Sequence, residues 1–351
     1  MQADHFLLDP QVTYLNHGSY GACTIEVFEE YQAWQRRLER DPHDFFMRRF
    51  DDVIRDARES LAAFVGAGAD DLVLVPNATS GLNAVLRSLE LGPGDEVLTT
   101  GHEYGAILRT LRFIGANVVY AEPAELAGRI GERTRVVLLS HVTSPTALVL
   151  PVAEICSAAR AAGALAVVDG AHAPGQVPLD LEALGADVYA GNCHKWLCAP
   201  KGAGFLWARP EHQEWIAPLV ISLGYREDAD FGERHGWQGT RDPAAYLSVP
   251  KAIEAHAAFD VARMRRLADE AETRLGAIDL PRVQGAPAPF MRAVELPSRD
   301  PDELALRLFE EFRIEVPVFV WGERVLLRFS IGPYNDETDG ERLVAALCAL
   351  L

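Results

Sequence analysis

The sequence predicts an α/β fold: a mostly parallel sheet covered by helices, followed by a smaller C-terminal α+β unit. Three observations predict it. From 71 to 207, short apolar runs alternate with helix-like segments, the pattern of parallel strands joined by crossover helices. Runs such as Val136-Val137-Leu138-Leu139 are apolar throughout rather than alternating, as strands covered on both faces must be. After Pro250 the alternation gives way to a long helical stretch and then to mixed strands and helices.

The elements follow in order. Residues 1–20 form a lead-in that ends in Tyr14-Leu15-Asn16-His17-Gly18-Ser19-Tyr20-Gly21. Its glycines and polar residues predict a loop lying over a site, or else an ordinary turn. Helices are expected at 24–39 and 50–65 with a break at 41–46, then at 80–90, 104–113 and 151–162. Strands are expected at 72–75, 96–99, 117–120, 135–140, 165–168, 188–191 and 203–207. One long helix is expected over 251–276, then a strand at 291–296, a helix at 301–312, strands around 314–320 and 324–329, and a last helix from 336. The domain reading is a lead-in (1–20), a large unit (21–250) and a small unit (251–351). No internal repeat or low-complexity segment occurs.

The chain has 351 residues, of which 49% are hydrophobic and 24% charged, proportions of an ordinary globular protein with a sizeable core. Its net charge of −18 disfavours a nucleic-acid partner, because phosphate binding wants a basic surface. Met1–Phe6 lacks a basic stretch followed by an apolar core, and no apolar run reaches membrane-spanning length, so neither a signal peptide nor a membrane span is expected. Five scattered cysteines argue against a disulfide framework and predict a cytoplasmic protein.

The chemistry centres on Gly191-Asn192-Cys193-His194-Lys195-Trp196, which follows the strand-like Asp187–Ala190. A lysine at the end of a buried strand is rare unless it is paired or reacted. Desolvation eases its deprotonation and makes it a nucleophile. Upstream, Ala164–Val168 delivers Asp169 to the end of another strand, followed by Gly170-Ala171-His172. Ligands of such sheets bind at the carboxyl ends of strands. Asp169 with Lys195 is the pair that holds pyridoxal 5′-phosphate (PLP): the lysine reacts with the aldehyde and the aspartate keeps the ring nitrogen protonated. Asn77-Ala78-Thr79-Ser80-Gly81, between a strand and a helix, offers backbone N–H groups and hydroxyls to a phosphate. Alternatively, Thr79 or Ser80 is a plain helix cap. No Walker sequence, paired Cys-x-x-Cys, His-Glu-x-x-His or Gly-x-Ser-x-Gly occurs, so no metal site and no serine nucleophile is expected.

Ala166–His172 followed by Asn192–Lys195 resembles the class V aminotransferase family of fold-type I PLP enzymes. His17-Gly18-Ser19-Tyr20, His102-Glu103-Tyr104-Gly105, His141–Thr146 and Trp237-Gln238-Gly239-Thr240-Arg241-Asp242 resemble its isopenicillin N epimerase-like branch. The resemblance covers nearly the whole chain. It implies that Lys195 carries the cofactor, that Asp169 pairs with the ring nitrogen, that His172 reaches the phenolic oxygen and that Tyr104 stacks on the ring. Thr79, Ser80 and His194 would hold the phosphate, with Asn192 standing where relatives have serine. Ser144 replaces an asparagine of other branches. Gly239 and Thr240 would reach the phosphate of a neighbouring subunit, which implies a homodimer. Arg328, on an apolar strand, would bind the substrate carboxylate, with Asn16, His17 and Ser19 near it; an internal salt bridge is the alternative for Arg328.

The expected function is therefore a PLP-dependent reaction at Cα or Cβ of an α-amino acid, of the epimerase or racemase type. A C–S lyase and a class V aminotransferase are the rivals within the family, and a degenerate PLP-free binding protein is the rival outside it. A cysteine desulfurase is disfavoured, since 285–328 carries no cysteine for a mobile loop ahead of Arg328.

Overall fold

The computed structural model describes residues 3–351. Met1 and Gln2, where the signal-peptide reading begins, lie outside the described residues. Strands are β1 (Thr13–Tyr14), β2 (Leu72–Val75), β3 (Glu96–Thr99), β4 (Asn117–Tyr120), β5 (Thr134–Ser140), β6 (Leu165–Gly170), β7 (Val188–Asn192), β8 (Gly204–Ala208), β9 (Met291–Leu296), β10 (Ile314–Glu315), β11 (Val318–Trp321) and β12 (Arg324–Ser330). A seven-stranded sheet runs β2-β8-β7-β6-β5-β3-β4. Only β8 opposes its neighbours; every other strand points the same way.

The uniform apolarity of these strands has the expected cause. Val137 and Leu139 of β5 join one core with Leu61 and Ile155, while Val136 and Leu138 join a second with Leu82 and Ile107. Helices Phe50–Val65 and Val152–Ala161 cover the first face; Ala78–Arg87 and Gly105–Phe113 cover the second. The first core continues into the C-terminal unit through Leu267, Leu326 and Leu347. That unit holds the antiparallel sheet β11-β12-β9 and the helices Pro301–Phe312 and Glu337–Leu350.

Four expectations change. The long helix over 251–276 is two helices, Val249–His256 and Val261–Gly276, because Asp260 caps the second by accepting the Arg263 N–H at 2.9 Å. The run 314–320 splits into β10 and β11 around Pro317, which has no N–H for a ladder. The break at 41–46 is a short helix, Pro42–Asp44, that continues through a wide turn into Phe50–Val65. The lead-in is not a free loop: β1 pairs in parallel with β10, and His17–Tyr20 is a helical turn beneath the site.

Two glycines let that turn approach. Gly18 lies where a Cβ would meet Met291 Sδ at 2.8 Å. Gly21, at φ +66°, lies where one would fall 1.9 Å from the His194 carbonyl. No helix among the described residues is long and apolar enough to cross a membrane.

Candidate active site

Register places the site. Ser140 of β5 lies beside Asp169 of β6, and Asp169 beside Ala190 of β7, so the carboxyl ends of three parallel strands converge. An inner cavity of about 240 Å³ opens there, and an adjoining outer one of about 490 Å³ lies between it and the C-terminal unit. The inner cavity gathers Ser19, Thr79, Tyr104, Ser144, Asp169, His172, Asn192, His194 and Lys195 from among the residues singled out in the sequence. Lys195 and Arg328 both line the outer one.

Lys195 Nζ is 3.0 Å from His172 Nε2. The Trp196 indole N–H, which can only donate, reaches His172 Nδ1 at 3.4 Å. With Nδ1 as the acceptor, the neutral ring carries its proton on Nε2 and can donate it to the lysine amine whenever that amine is unprotonated. The electrostatics agree. Burial, and then the charge of Arg328, bring Lys195 down to about 7, against an opposing pull from Asp169. Burial and the neighbouring Lys195, Arg328 and His194 charges hold His172 well below the usual imidazole range.

Asp169 is buried, and burial raises its carboxyl, although the Ala171 N–H (2.9 Å) and the Lys195 charge oppose the shift. Only Oδ1 is engaged, so Oδ2 has no partner among the described residues. Asn77, rather than Thr79 or Ser80, caps helix Ala78–Arg87, accepting from Ser80 N–H at 2.8 Å and Ser80 hydroxyl at 3.1 Å. Ser80 is thereby engaged within the turn and is absent from the cavity wall. Asn192 Oδ1 accepts from Ala78 N–H at 2.8 Å and clamps the end of β7 to this turn. Thr79 keeps a backbone N–H and a hydroxyl without partners among the described residues. His194 Nδ1 donates to the Ala203 carbonyl at 3.1 Å, and burial brings its ring down to about 4.

Arg328 is buried with no carboxylate against it. Its Nη1 reaches the Ser144 carbonyl (2.7 Å) and hydroxyl (3.1 Å), its Nη2 the Ser19 hydroxyl (2.9 Å), and its Nε has no partner. Burial lowers it to about 10. An unpartnered, desolvated guanidinium N–H beside a cavity is the donor a carboxylate would satisfy.

Two further expectations are not met inside this chain. His17 is fully buried and has both ring nitrogens engaged: Nε2 donates to the Lys195 carbonyl at 3.0 Å, and Nδ1 accepts from the Tyr334 hydroxyl at 3.1 Å. It supports the lysine turn and has no atom left for a substrate. Asn16 reaches Glu315 at 3.4 Å and accepts from Ser19, so it acts behind Ser19, away from the cavity. Gly239 (φ +101°) and Thr240 lie outside both cavities.

Other lining residues escaped the sequence reading. Tyr20, 67% exposed, lines both cavities. Glu103 is buried, accepts from the Thr100 and Ser140 hydroxyls (2.8 and 2.5 Å), and is pushed up to about 7 by burial. Asn-x-x-Ser spacing at Asn77 is a readable capping signal. Glu103 has no such signal, because Ser140 is 37 positions away.

The family model for aminotransferase class-V matches residues 22–343. The chain belongs to the aminotransferase class-V family. It is 36% identical to isopenicillin N epimerase of Streptomyces clavuligerus, over 98% of this chain and 96% of that protein. It is 29% identical to a probable chloroplastic L-cysteine desulfhydrase of Arabidopsis thaliana, over 98% and 84%. Its fold matches the crystal structure of the cysteine desulfurase CsdA of Escherichia coli with a TM-score of 0.83, at 23% identity over 99% and 96% of the two chains. The architecture is that of fold-type I, and the chain is a PLP-dependent enzyme acting at Cα or Cβ of an amino acid. The cavity fits that cofactor: an aspartate with one oxygen unengaged, a lysine amine of lowered pKa, and a helix start with free donors all face one space.

Proposed function

We propose that this class V enzyme is an epimerase or racemase of an α-amino acid, in which Lys195 takes the Cα proton from one face and a proton delivered to the opposite face completes the inversion. The observation that supports this reading is the Lys195–His172 hydrogen bond, which holds the Nζ amine, its pKa lowered to about 7, inside the cavity. The greater identity to the isopenicillin N epimerase than to the desulfhydrase supports the choice of branch.

Asp169 would hold the ring nitrogen of PLP, Tyr104 its face and His172 its phenolic edge. Thr79, Asn192 and His194 would hold the phosphate. Bound there, PLP supplies an electron sink that acidifies the Cα–H bond. Arg328, steadied by Ser19 and Ser144, would grip the α-carboxylate with its guanidinium and so aim Cα at Lys195. Gly239 and Thr240, outside this chain's own cavities, suit a homodimer in which they complete the partner's phosphate site. The large unit would then be 21–250 and the small unit 251–351, with 1–20 bridging to the site. All five cysteines are free, which fits a cytoplasmic enzyme.

A C–S lyase is the second reading, favoured by the desulfhydrase relative. Desulfurase chemistry is disfavoured because no cysteine lines either cavity, and burial pushes the Cys193 and Cys198 thiols well up. The test is turnover of a single enantiomer in D₂O. Deuterium at Cα with appearance of the other enantiomer supports the proposal. Pyruvate with ammonia would make the enzyme a lyase, and amino transfer that depends on a keto acid would make it an aminotransferase.

A further inference from the structure

We propose that the outer cavity is a side-chain subsite for α-amino acids with a bulky apolar side chain, and that Trp321 is its specificity wall; this rests on the amino-acid reading above. Beyond Lys195 and Arg328 the cavity is walled by Leu108 and Pro145 on one side and by Phe319, Val320 and Trp321 on the other. Its charged lining residues are Lys195, Arg328 and Glu103. Glu103 already accepts two hydroxyl hydrogen bonds, and the guanidinium of Arg328 is assigned above to the α-carboxylate. A second carboxylate on the substrate would therefore enter without a free cation among the described lining residues, at a desolvation cost. A space of about 490 Å³ is left mostly wet by a side chain as short as that of alanine or cysteine. An apolar chain that fills it gains burial.

Trp321 holds this wall in place. Its indole N–H donates to the Gly101 carbonyl at 3.0 Å, and its ring lies 4.6 Å from that of His102. His102 is itself hydrogen-bonded to Thr146 at 2.8 Å. Arg324 sits 4.5 Å from the indole centre but pairs with Glu295 at 3.5 Å and is not part of the lining. The hairpin of the small unit is thus fastened to the loop that presents Tyr104.

The test uses the PLP-loaded enzyme. Leucine, methionine and phenylalanine are compared with alanine, cysteine, aspartate and glutamate. Dissociation constants come from the change in cofactor absorbance, and Cα–H exchange is followed in D₂O. The bulky apolar set is expected to bind about tenfold or more tightly than the others. Trp321→Ala should remove about tenfold of that preference while altering alanine by less than about threefold, and Trp321→Phe should keep it. Val320→Lys, at a position 60% exposed, supplies the missing cation and should strengthen glutamate binding by about tenfold without relying on Trp321. Equal or tighter binding of alanine, cysteine or the diacids by the wild type overturns the proposal, as does a uniform loss in Trp321→Ala or no gain for glutamate in Val320→Lys. If no amino acid exchanges its Cα proton, the functional reading itself fails.

Discussion

Arg328 and Arg292 lie one position apart in the register of β12 and β9, on opposite faces of one sheet, and only Arg292 meets a carboxylate. Arg292 pairs with Asp269 and, at 2.5 Å, with Glu272 of helix Val261–Gly276. Arg328 has a carbonyl, two hydroxyls and an unpartnered Nε. The first is tied to helix Val261–Gly276; the second stands at the cavity wall with no counter-ion. Arg328→Lys should raise KM about ten- to a hundredfold with little change in thermal stability. Arg292→Met should instead destabilise the fold by about 3 kcal/mol. Kinetics and urea denaturation of the two variants check the contrast.

Lys195 should react with added PLP in the cofactor-free chain as a base of pKa about 7. Its attachment rate should rise through that pH and level off, whereas an ordinary lysine would still be rising near pH 10. Arg328→Met removes the positive charge that helps to lower this value, so the midpoint should move up. A rate that climbs steadily past pH 9 in the wild type would show that the amine is not desolvated.

Glu103, raised from 4.5 to about 7 in the fold, gives a signed pH dependence of stability. Between these values the native state holds a proton that the unfolded chain releases. The contribution is therefore complete below about 4.5 and is lost as pH rises through about 7. Glu103→Gln should flatten the slope, gaining on the order of 1–3 kcal/mol relative to wild type between pH 5 and pH 8. Urea titrations at the two pH values measure this.

Asp169→Asn should retain PLP, because Thr79, Asn192 and His194 are untouched, yet slow Cα–H exchange by about 10²–10³-fold. A neutral amide no longer favours a protonated ring nitrogen. Exchange at the wild-type rate would remove Asp169 from this role.

Much of the site is legible because burial writes it into local patterns. β5, β6 and β7 are covered on both faces, so they appear as unbroken apolar runs, and Ser140, Asp169 and Asn192 stand where the runs end. Arg328 stands out by charge on such a strand. What stays hidden is non-local or masked by a stronger pattern. β1 is two residues long and owes its existence to β10, some 300 residues away. His17 resembles a ligand in sequence, but its partners, Tyr334 and the Lys195 carbonyl, are distant in the chain. The capping Asp260 was obscured by helical periodicity on both sides, and the Trp321–Gly101 contact joins segments 220 positions apart.

Whether Lys195 moves the Cα proton is read from deuterium incorporation at Cα by Lys195→Ala reconstituted with PLP, with and without added methylamine. Exchange should fall by about 10²–10⁴-fold, and methylamine should restore part of it in proportion to its free-base concentration. Exchange at the wild-type rate without the amine would show that another group moves the proton.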